Sequence, residues 1–231
     1  MFEPILLRNV NRPGSERLDV YLAHGGYQAL EKALNEYEPD DLVDMIKASG
    51  LRGRGGAGFP AGLKWGFMPK DDVVKYVAIN TDEGEPGTFK DRALVENDPH
   101  QVIEGVAITS YAVGAHRAFV YIRGEFFTGI KRWVKAIAEA YAQGFLGKDI
   151  LGSGFDLDLS VHRGAGAYIC GEETAMIESL EGKRGHPRTK PPYPAQVGLF
   201  GQPTLVHNVE TLCNVPHIVR NGPAWFASIG T

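Results

Sequence analysis

The chain has 231 residues, 43% of them hydrophobic and 23% charged, and a formal net charge of −4. That size and balance suit one large soluble domain or a domain with a small appendage, and the mild negative charge argues against a general nucleic-acid binder. The most apolar long stretch, Val102 to Ile122, contains Glu104, His116 and Arg117, so no membrane span is expected, and no charged-then-apolar start marks a secretory signal.

Residues 1–26 read as irregular, with a turn at Asn11–Ser15. A short helix is predicted over Tyr27–Glu36 and a second over 39–49, where Leu42, Val43 and Ile46 recur at helical spacing and Gly50 suits the stop. The run Leu51-Arg52-Gly53-Arg54-Gly55-Gly56-Ala57-Gly58-Phe59-Pro60 follows, with four glycines and two arginines in seven residues. Glycine lets backbone N–H groups turn toward an anion, and Lys64 adds positive charge. Gly53, Gly55 and Gly58 satisfy G-x-G-x-x-G, but the run follows a helix where a dinucleotide fingerprint must follow a strand. The ordinary fingerprint is therefore rejected, leaving a phosphate-holding loop or a plain surface turn.

Val73–Ile79 reads as a buried strand ending at the polar loop Asn80–Gly87. Over Asn80 to Arg92, Asp82, Glu83, Glu85 and Asp91 gather around Pro86-Gly87. Such groups at a strand end can bind sugar hydroxyls or an imide N–H. The calcium-loop spacing is missing, and a solvated acidic turn is the plain alternative. A helix is predicted over Pro99–Val113 between Asp98 and Gly114, a strand over Ala118–Ile122, an amphipathic helix over Thr128–Ala142, and a strand over Phe155–Val161. The loop Gly164–Thr174 leads into a helix near 172–180, where Glu172 and Glu173 suit the helix dipole. Lys190–Pro194 reads as a stiff, polyproline-like connection. Strands alternating with helices predict an α/β fold, a parallel sheet with helices on both faces and Gly-rich ligand loops at the carboxyl ends of its strands.

Phe59, Phe67, Tyr168 and Tyr193 stand beside polar loops, where a flat ring could stack on them; singly, each is more often core. The chain has only Cys170 and Cys213 and no C-x-x-C, so it is expected to hold no Cys₄ cluster and no metal of its own. Cys170 reads as a small packed residue. His162 and His207 flank ligand loops without a metal-ligand spacing.

Taken together, the runs at 51–60, Gly-Leu-Lys-Trp at 62–65, Asp-Glu-Gly-Glu-Pro-Gly-Thr-Phe-Lys-Asp-Arg at 82–92, Gly-Ala-Gly-Ala-Tyr-Ile-Cys-Gly-Glu-Glu-Thr-Ala at 164–175, Lys-Pro-Pro-Tyr-Pro-Ala at 190–195 and Asn-Val-Glu-Thr-Leu at 208–212 resemble one family. It is the NADH-binding flavoprotein (51-kDa-type) subunit of respiratory complex I, whose module also occurs in NAD-reducing hydrogenases and NAD-linked formate dehydrogenases. The resemblance implies a Rossmann-like domain over 38–231, after an N-terminal extension and first helix over 1–37, holding FMN and NADH stacked in one cavity. It implies that Gly53, Arg54, Gly55 and Lys64 hold FMN phosphate and ribityl groups, that Asn80, Asp82 and Gly171 line the flavin, and that Asn208 and Thr211 close the phosphate end. Phe59, Phe67 and Tyr193 would stack on the adenine of NADH, with Glu85, Glu173, Tyr168 and Lys190 positioning the rest. Tyr193 stands where many relatives have Phe, and His207 where some have Asn, so no phosphate role passes to His207.

The implied reaction is hydride transfer from NADH to FMN, with no side chain needed as acid or base. Electrons would then pass singly to iron–sulfur clusters of a larger complex feeding quinone. The implied partners are a thioredoxin-like [2Fe–2S] 24-kDa-type subunit and further subunits, in the cytoplasm or at the cytoplasmic face of a membrane as part of a peripheral arm, without insertion. The family continues past this point into a ubiquitin-like domain and a helical [4Fe–4S] domain; these 231 residues are expected to be the flavin module alone. The rival readings are a diaphorase subunit of a hydrogenase or formate dehydrogenase, and a flavin-free docking subunit that kept the fold.

Overall fold

The computed structural model describes residues 4–229. Four strands form one parallel sheet: β1 (Tyr76–Thr81), β2 (Arg117–Ile122), β3 (Asp158–Arg163) and β4 (Thr204–Asn208), in the order β3-β2-β1-β4. The helices are α1 (Leu18–Ala23), α2 (Gln28–Glu36), α3 (Pro39–Ser49), α4 (Ala61–Gly66), α5 (Lys90–Asn97), α6 (Pro99–Val113), α7 (Phe127–Ala142), α8 (Glu173–Leu180), α9 (Val209–Asn221) and α10 (Pro223–Ala227). β1 pairs with both β2 and β4, and Asn80 lies level with Asn208 across the β1–β4 pair.

The order fixes where each helix goes. From β1 to β2 to β3 the chain steps outward in one direction, and α6 and α7 lie on the same face. β4 then lands on the far side of β1. Right-handed crossovers reverse direction only by crossing the opposite face, and α8 occupies that face. Val77, Ile79 and Leu205 point into the large core with α3, α6 and α9; Tyr76, Ala78 and Val206 point into a smaller one with Met176 and Ile177 of α8. The sheet is thus covered on both faces, but unequally.

The N-terminal region is more ordered than its composition suggests, because α1 interrupts the stretch read as irregular. The cause lies elsewhere in the chain. Glu104 of α6 is fully buried, and its carboxylate accepts the Tyr21 hydroxyl and the backbone N–H groups of Ala29 and Leu30, the latter two at 2.9 and 3.0 Å. One carboxylate therefore ties α1 and the start of α2 to the core. The proline-rich segment also differs from expectation. Lys190-Pro191 and Pro191-Pro192 are both cis, so the segment bends where polyproline geometry would extend it.

Asp98 makes this packing pH-dependent. It is fully buried, Asn9 Nδ2 donates to its Oδ2 at 2.9 Å, and its Oδ1 has no partner among the described residues. Burial pushes its carboxyl up to about 7, against the Asn9 hydrogen bond and the Arg8 charge. The folded value is above the unfolded one, so the protonated form favours the fold. The resulting stability is complete below about pH 4 and is lost as pH rises through about 7. Asp98→Asn, neutral at every pH, is expected to remove this fall, gaining about 2–4 kcal/mol over the wild type at pH 8. Urea unfolding at pH 5 and pH 8 checks it; parallel pH dependence in the two proteins would count against it.

Candidate functional site at the strand switch point

In an open parallel sheet, ligands bind outside the carboxyl ends of the strands, where the order reverses. Here that place lies between β1 and β4, ending at Thr81 and Asn208. Asn80 Nδ2 donates to the Gly171 carbonyl at 2.8 Å, and its Oδ1 accepts the Asp82 N–H at 3.1 Å. The end of β1 is thereby tied to the loop that opens α8. A Cβ on Gly171 would come 3.4 Å from the Asp82 carbonyl oxygen, so these two loops lie close.

The Gly-rich run closes on itself. Gly53 N–H donates to the Phe59 carbonyl at 2.9 Å, Arg52 pairs with Pro60 as an antiparallel bridge, and Arg52 Nε donates to the Gly58 carbonyl at 2.7 Å. Gly58, at φ +64°, makes the turn that a side chain would resist. The loop leans on the start of α9: Arg54 N–H donates to Thr211 Oγ1 at 2.9 Å, and a Cβ on Gly55 would meet Asn208 Cβ at 3.3 Å. Gly53, Arg54, Gly55, Asn208 and Thr211 are therefore brought together beside a helix N-terminus, a place suited to a phosphate.

Asn208 caps that helix. Its Oδ1 accepts the Glu210 N–H at 3.0 Å and Lys90 Nζ at 3.1 Å, and its Nδ2 donates to Asp91 at 2.6 Å. Asp91 is buried, while Glu83 accepts the N–H groups of Asp91 and Arg92 and so holds the start of α5. Glu83 and Asp91 belong to the acidic stretch read from the sequence as a loop, but Asp91 lies in the first turn of α5, and the structural work of both is internal. Nothing in the spacing of Asp91 could reveal a partner at Asn208, 117 positions on.

A chain of alternating charges runs along the other wall. Lys64 Nζ lies 2.9 Å from Glu173, Glu173 lies 2.8 Å from Lys190, and Lys190 lies 2.9 Å from Glu172. Burial works against Glu173, but the Lys64 charge and the Lys190 hydrogen bond hold its carboxyl below the usual range. Glu172 accepts from the backbone of Thr174 and Ala175, which makes it the cap of α8.

The aromatic candidates are exposed. Phe59 and Phe67 stand with ring centroids 6.0 Å apart and tilted by 43°, and Phe67 is 60% exposed. Tyr168, 64% exposed, donates its hydroxyl to Glu85; Glu85 itself is exposed. Tyr193 is placed by its chain position, three residues past Lys190, and is also exposed. Large apolar rings left open beside charged loops are the kind of surface a flat heterocycle covers.

The residues fit a flavin. Asp82 is buried, burial raises its carboxyl to about 6 against the Arg123 charge, and its Oδ2 has no hydrogen-bond partner among the described residues. An acceptor in that state needs a donor, such as an imide N–H or a ribityl hydroxyl. His207 and Cys170, by contrast, are packed inside, and His162 stacks on Tyr121.

The family model described as the Nuo51 FMN-binding domain matches residues 46–217. The chain belongs to the Nuo51 FMN-binding domain family. An NADH-quinone oxidoreductase subunit of Rhizobium meliloti (strain 1021) is 62% identical over 231 residues, all of this chain and 55% of that protein. The corresponding NADH-quinone oxidoreductase subunit of Aquifex aeolicus (strain VF5) is 58% identical, over 98% of this chain and 53% of that protein. The chain thus spans about half the length of these curated relatives. The crystal structure of an NAD⁺-reducing [NiFe]-hydrogenase in the H₂-reduced state matches 99% of this chain and 37% of its own, at TM-score 0.80 and 39% identity. Within the Nuo51 family segment lie the Gly-rich loop, the ends of β1 and β4, and the charge chain through Glu173 and Lys190.

Proposed function

We propose that this chain binds one FMN noncovalently at the β1–β4 switch point, takes up NADH beside it, and oxidises NADH on behalf of a larger NADH-quinone oxidoreductase. The observation that carries this reading is the meeting there of a Gly-rich loop, a helix N-terminus, a lysine and a buried acceptor without a partner among the described residues. FMN, when bound, supplies a ring that accepts hydride. The chain's own part is to bind and align. Gly53, Arg54, Gly55 and Lys64 hold the phosphate and ribityl chain, Asn208 and Thr211 close that end, and Asn80, Asp82 and Gly171 line the ring. Phe59, Phe67 and Tyr193 stack on the adenine of NADH, while Glu85, Tyr168, Glu173 and Lys190 fix the remaining groups. Holding the two rings near attack distance is worth up to roughly 7–11 kcal/mol of the barrier.

In this reading the chain works with a thioredoxin-like [2Fe–2S] subunit and further subunits, in a peripheral arm at the cytoplasmic face of a membrane. Among the described residues no helix is long and apolar enough to cross a membrane. The hydrogenase match supports a second reading, the diaphorase subunit of an NAD-linked hydrogenase. Identities of 53–62% to NADH-quinone oxidoreductase subunits favour the first. A flavin-free docking role is disfavoured by the open Asp82 acceptor, which a docking subunit has no reason to keep.

The test is direct. The purified chain is expected to release stoichiometric FMN on heating, identified by chromatography. With NADH it should reduce ferricyanide, two per NADH, yielding NAD⁺ and one proton, and should reduce quinone poorly. Its electron paramagnetic resonance spectrum should show no iron–sulfur signal, since Cys170 and Cys213 are the chain's only cysteines and both are buried. Stoichiometric FAD, or no flavin after reconstitution, would sink the proposal.

A further inference from the structure

His207 is a buried histidine bound to the element that carries Lys64. It lies on β4 directly before Asn208, and its Nε2 accepts the indole N–H of Trp65 at 2.7 Å. Both side chains are buried, and the rings meet edge-on with centroids 6.3 Å apart. Burial, helped by the Lys64 charge, pushes His207 well below its ordinary value. The imidazole is therefore neutral, with the Nε2 lone pair free to accept and the proton on Nδ1.

α4 needs such an anchor. It has six residues and no side-chain cap, too short to hold itself by its own hydrogen bonds. One side is pressed on α3, where a Cβ on Gly62 would fall 2.4 Å from the Lys47 backbone nitrogen. The start of α4 is held as well, by the Ala61 N–H bond to the Leu51 carbonyl at 2.8 Å and the Arg52–Pro60 bridge just before it. The Trp65–His207 bond fixes the later turn, and Lys64 is the residue before Trp65. The bond ties the helix that presents Lys64 to the strand that ends at the switch point.

We propose that His207 is a positioning residue: through Trp65 it sets the orientation of α4 and thereby aims Lys64 at the flavin phosphate. This rests on the flavin reading above and deepens it. Packing alone would make any apolar side chain of similar size serve; positioning requires an acceptor at the Nε2 place.

FMN dissociation constants of the full 231-residue chain, read by quenching of flavin fluorescence, test this. His207→Leu is expected to weaken FMN by about tenfold, and His207→Gln, which keeps an acceptor, by less than about threefold. In a Lys64→Ala background, His207→Leu should add less than about twofold, because the residue it aims is gone. If His207→Leu fails to fold by circular dichroism, Trp65→Phe removes the donor while keeping an aromatic ring, and the same tenfold loss and the same dependence on Lys64 are expected. Glutamine no better than leucine, or an undiminished loss in the Lys64→Ala background, would reduce His207 to packing and overturn the proposal. Failure of the wild type to bind FMN would overturn the flavin reading and this inference with it, whereas an unchanged affinity in Lys64→Ala alone would overturn this inference and leave FMN binding intact. Those two measurements leave His207 untouched and so separate the two failures.

Discussion

Gly105→Ala is expected to cost about 3 kcal/mol or more, a large share of the roughly 5–15 kcal/mol that stabilises a domain. Helix propensity alone says the opposite, since Gly to Ala in a helix interior gains about 1 kcal/mol. The packing decides the sign. α6 is buried along nearly its whole length, and at Gly105 it crosses α9 so closely that a Cβ would lie 2.2 Å from the Leu212 carbonyl oxygen. That oxygen belongs to the backbone of a buried helix, so neither side can move away without opening the core. A methyl group there must separate α6 from α9, the helix that begins just after Asn208. The melting temperature, followed by far-ultraviolet circular dichroism, should fall by roughly 6–12 °C, at about 2–4 °C per kcal/mol for a chain of this size. An unchanged or raised melting temperature would mean that the two helices tolerate a wider separation.

Gly105 also illustrates how far periodicity carries in this chain. The amphipathic pattern of α3, the apolar run of α6 and the strands β1 to β3 are legible, because each repeats one kind of residue at one spacing. Their ends shift: β1 runs Tyr76–Thr81 and β3 runs Asp158–Arg163, a few residues later than the apolar runs suggest. β4 is illegible. It has five residues, and three of them, Thr204, His207 and Asn208, are polar. α9 carries Pro216 inside it, a residue that reads as a break. With β4 and α9 hidden, the reversal of strand order is hidden too, and so is the reason the site lies where it does. Family resemblance, resting on whole loops, points to Asn208 and Thr211; local pattern points only to the Gly-rich run at 51–60 and to the loops after β1, β2 and β3. The hold of Glu83 on the start of α5, the Asn208–Asp91 bond and the Trp65–His207 bond depend on partners that no spacing rule reaches.

The largest functional effect is expected at Lys64. Reversing its charge with Lys64→Glu should weaken FMN by about 100-fold or more, since loss of a partner from a desolvated charged contact costs about 2–5 kcal/mol. The charge chain is the reason for expecting the upper part of that range. Lys64, Glu173, Lys190 and Glu172 alternate in sign and sum to zero. Lys64→Glu leaves three carboxylates and one ammonium, a net −2 beside the place proposed for a phosphate dianion. Glu173, which now meets Lys64 at 2.9 Å, would face a carboxylate instead. The Lys64 and Glu173 side chains are only about a quarter exposed, so circular dichroism of Lys64→Glu must match the wild type before its affinity is read. Adding Glu173→Gln to Lys64→Glu removes one of the two repelling carboxylates and should recover part of the affinity, at about tenfold for each 1.4 kcal/mol relieved. Flavin-fluorescence titration of the two variants at low and high salt checks both steps, and the loss should shrink as salt screens the charges. An FMN affinity within about threefold of the wild type in Lys64→Glu would place the phosphate elsewhere on the chain.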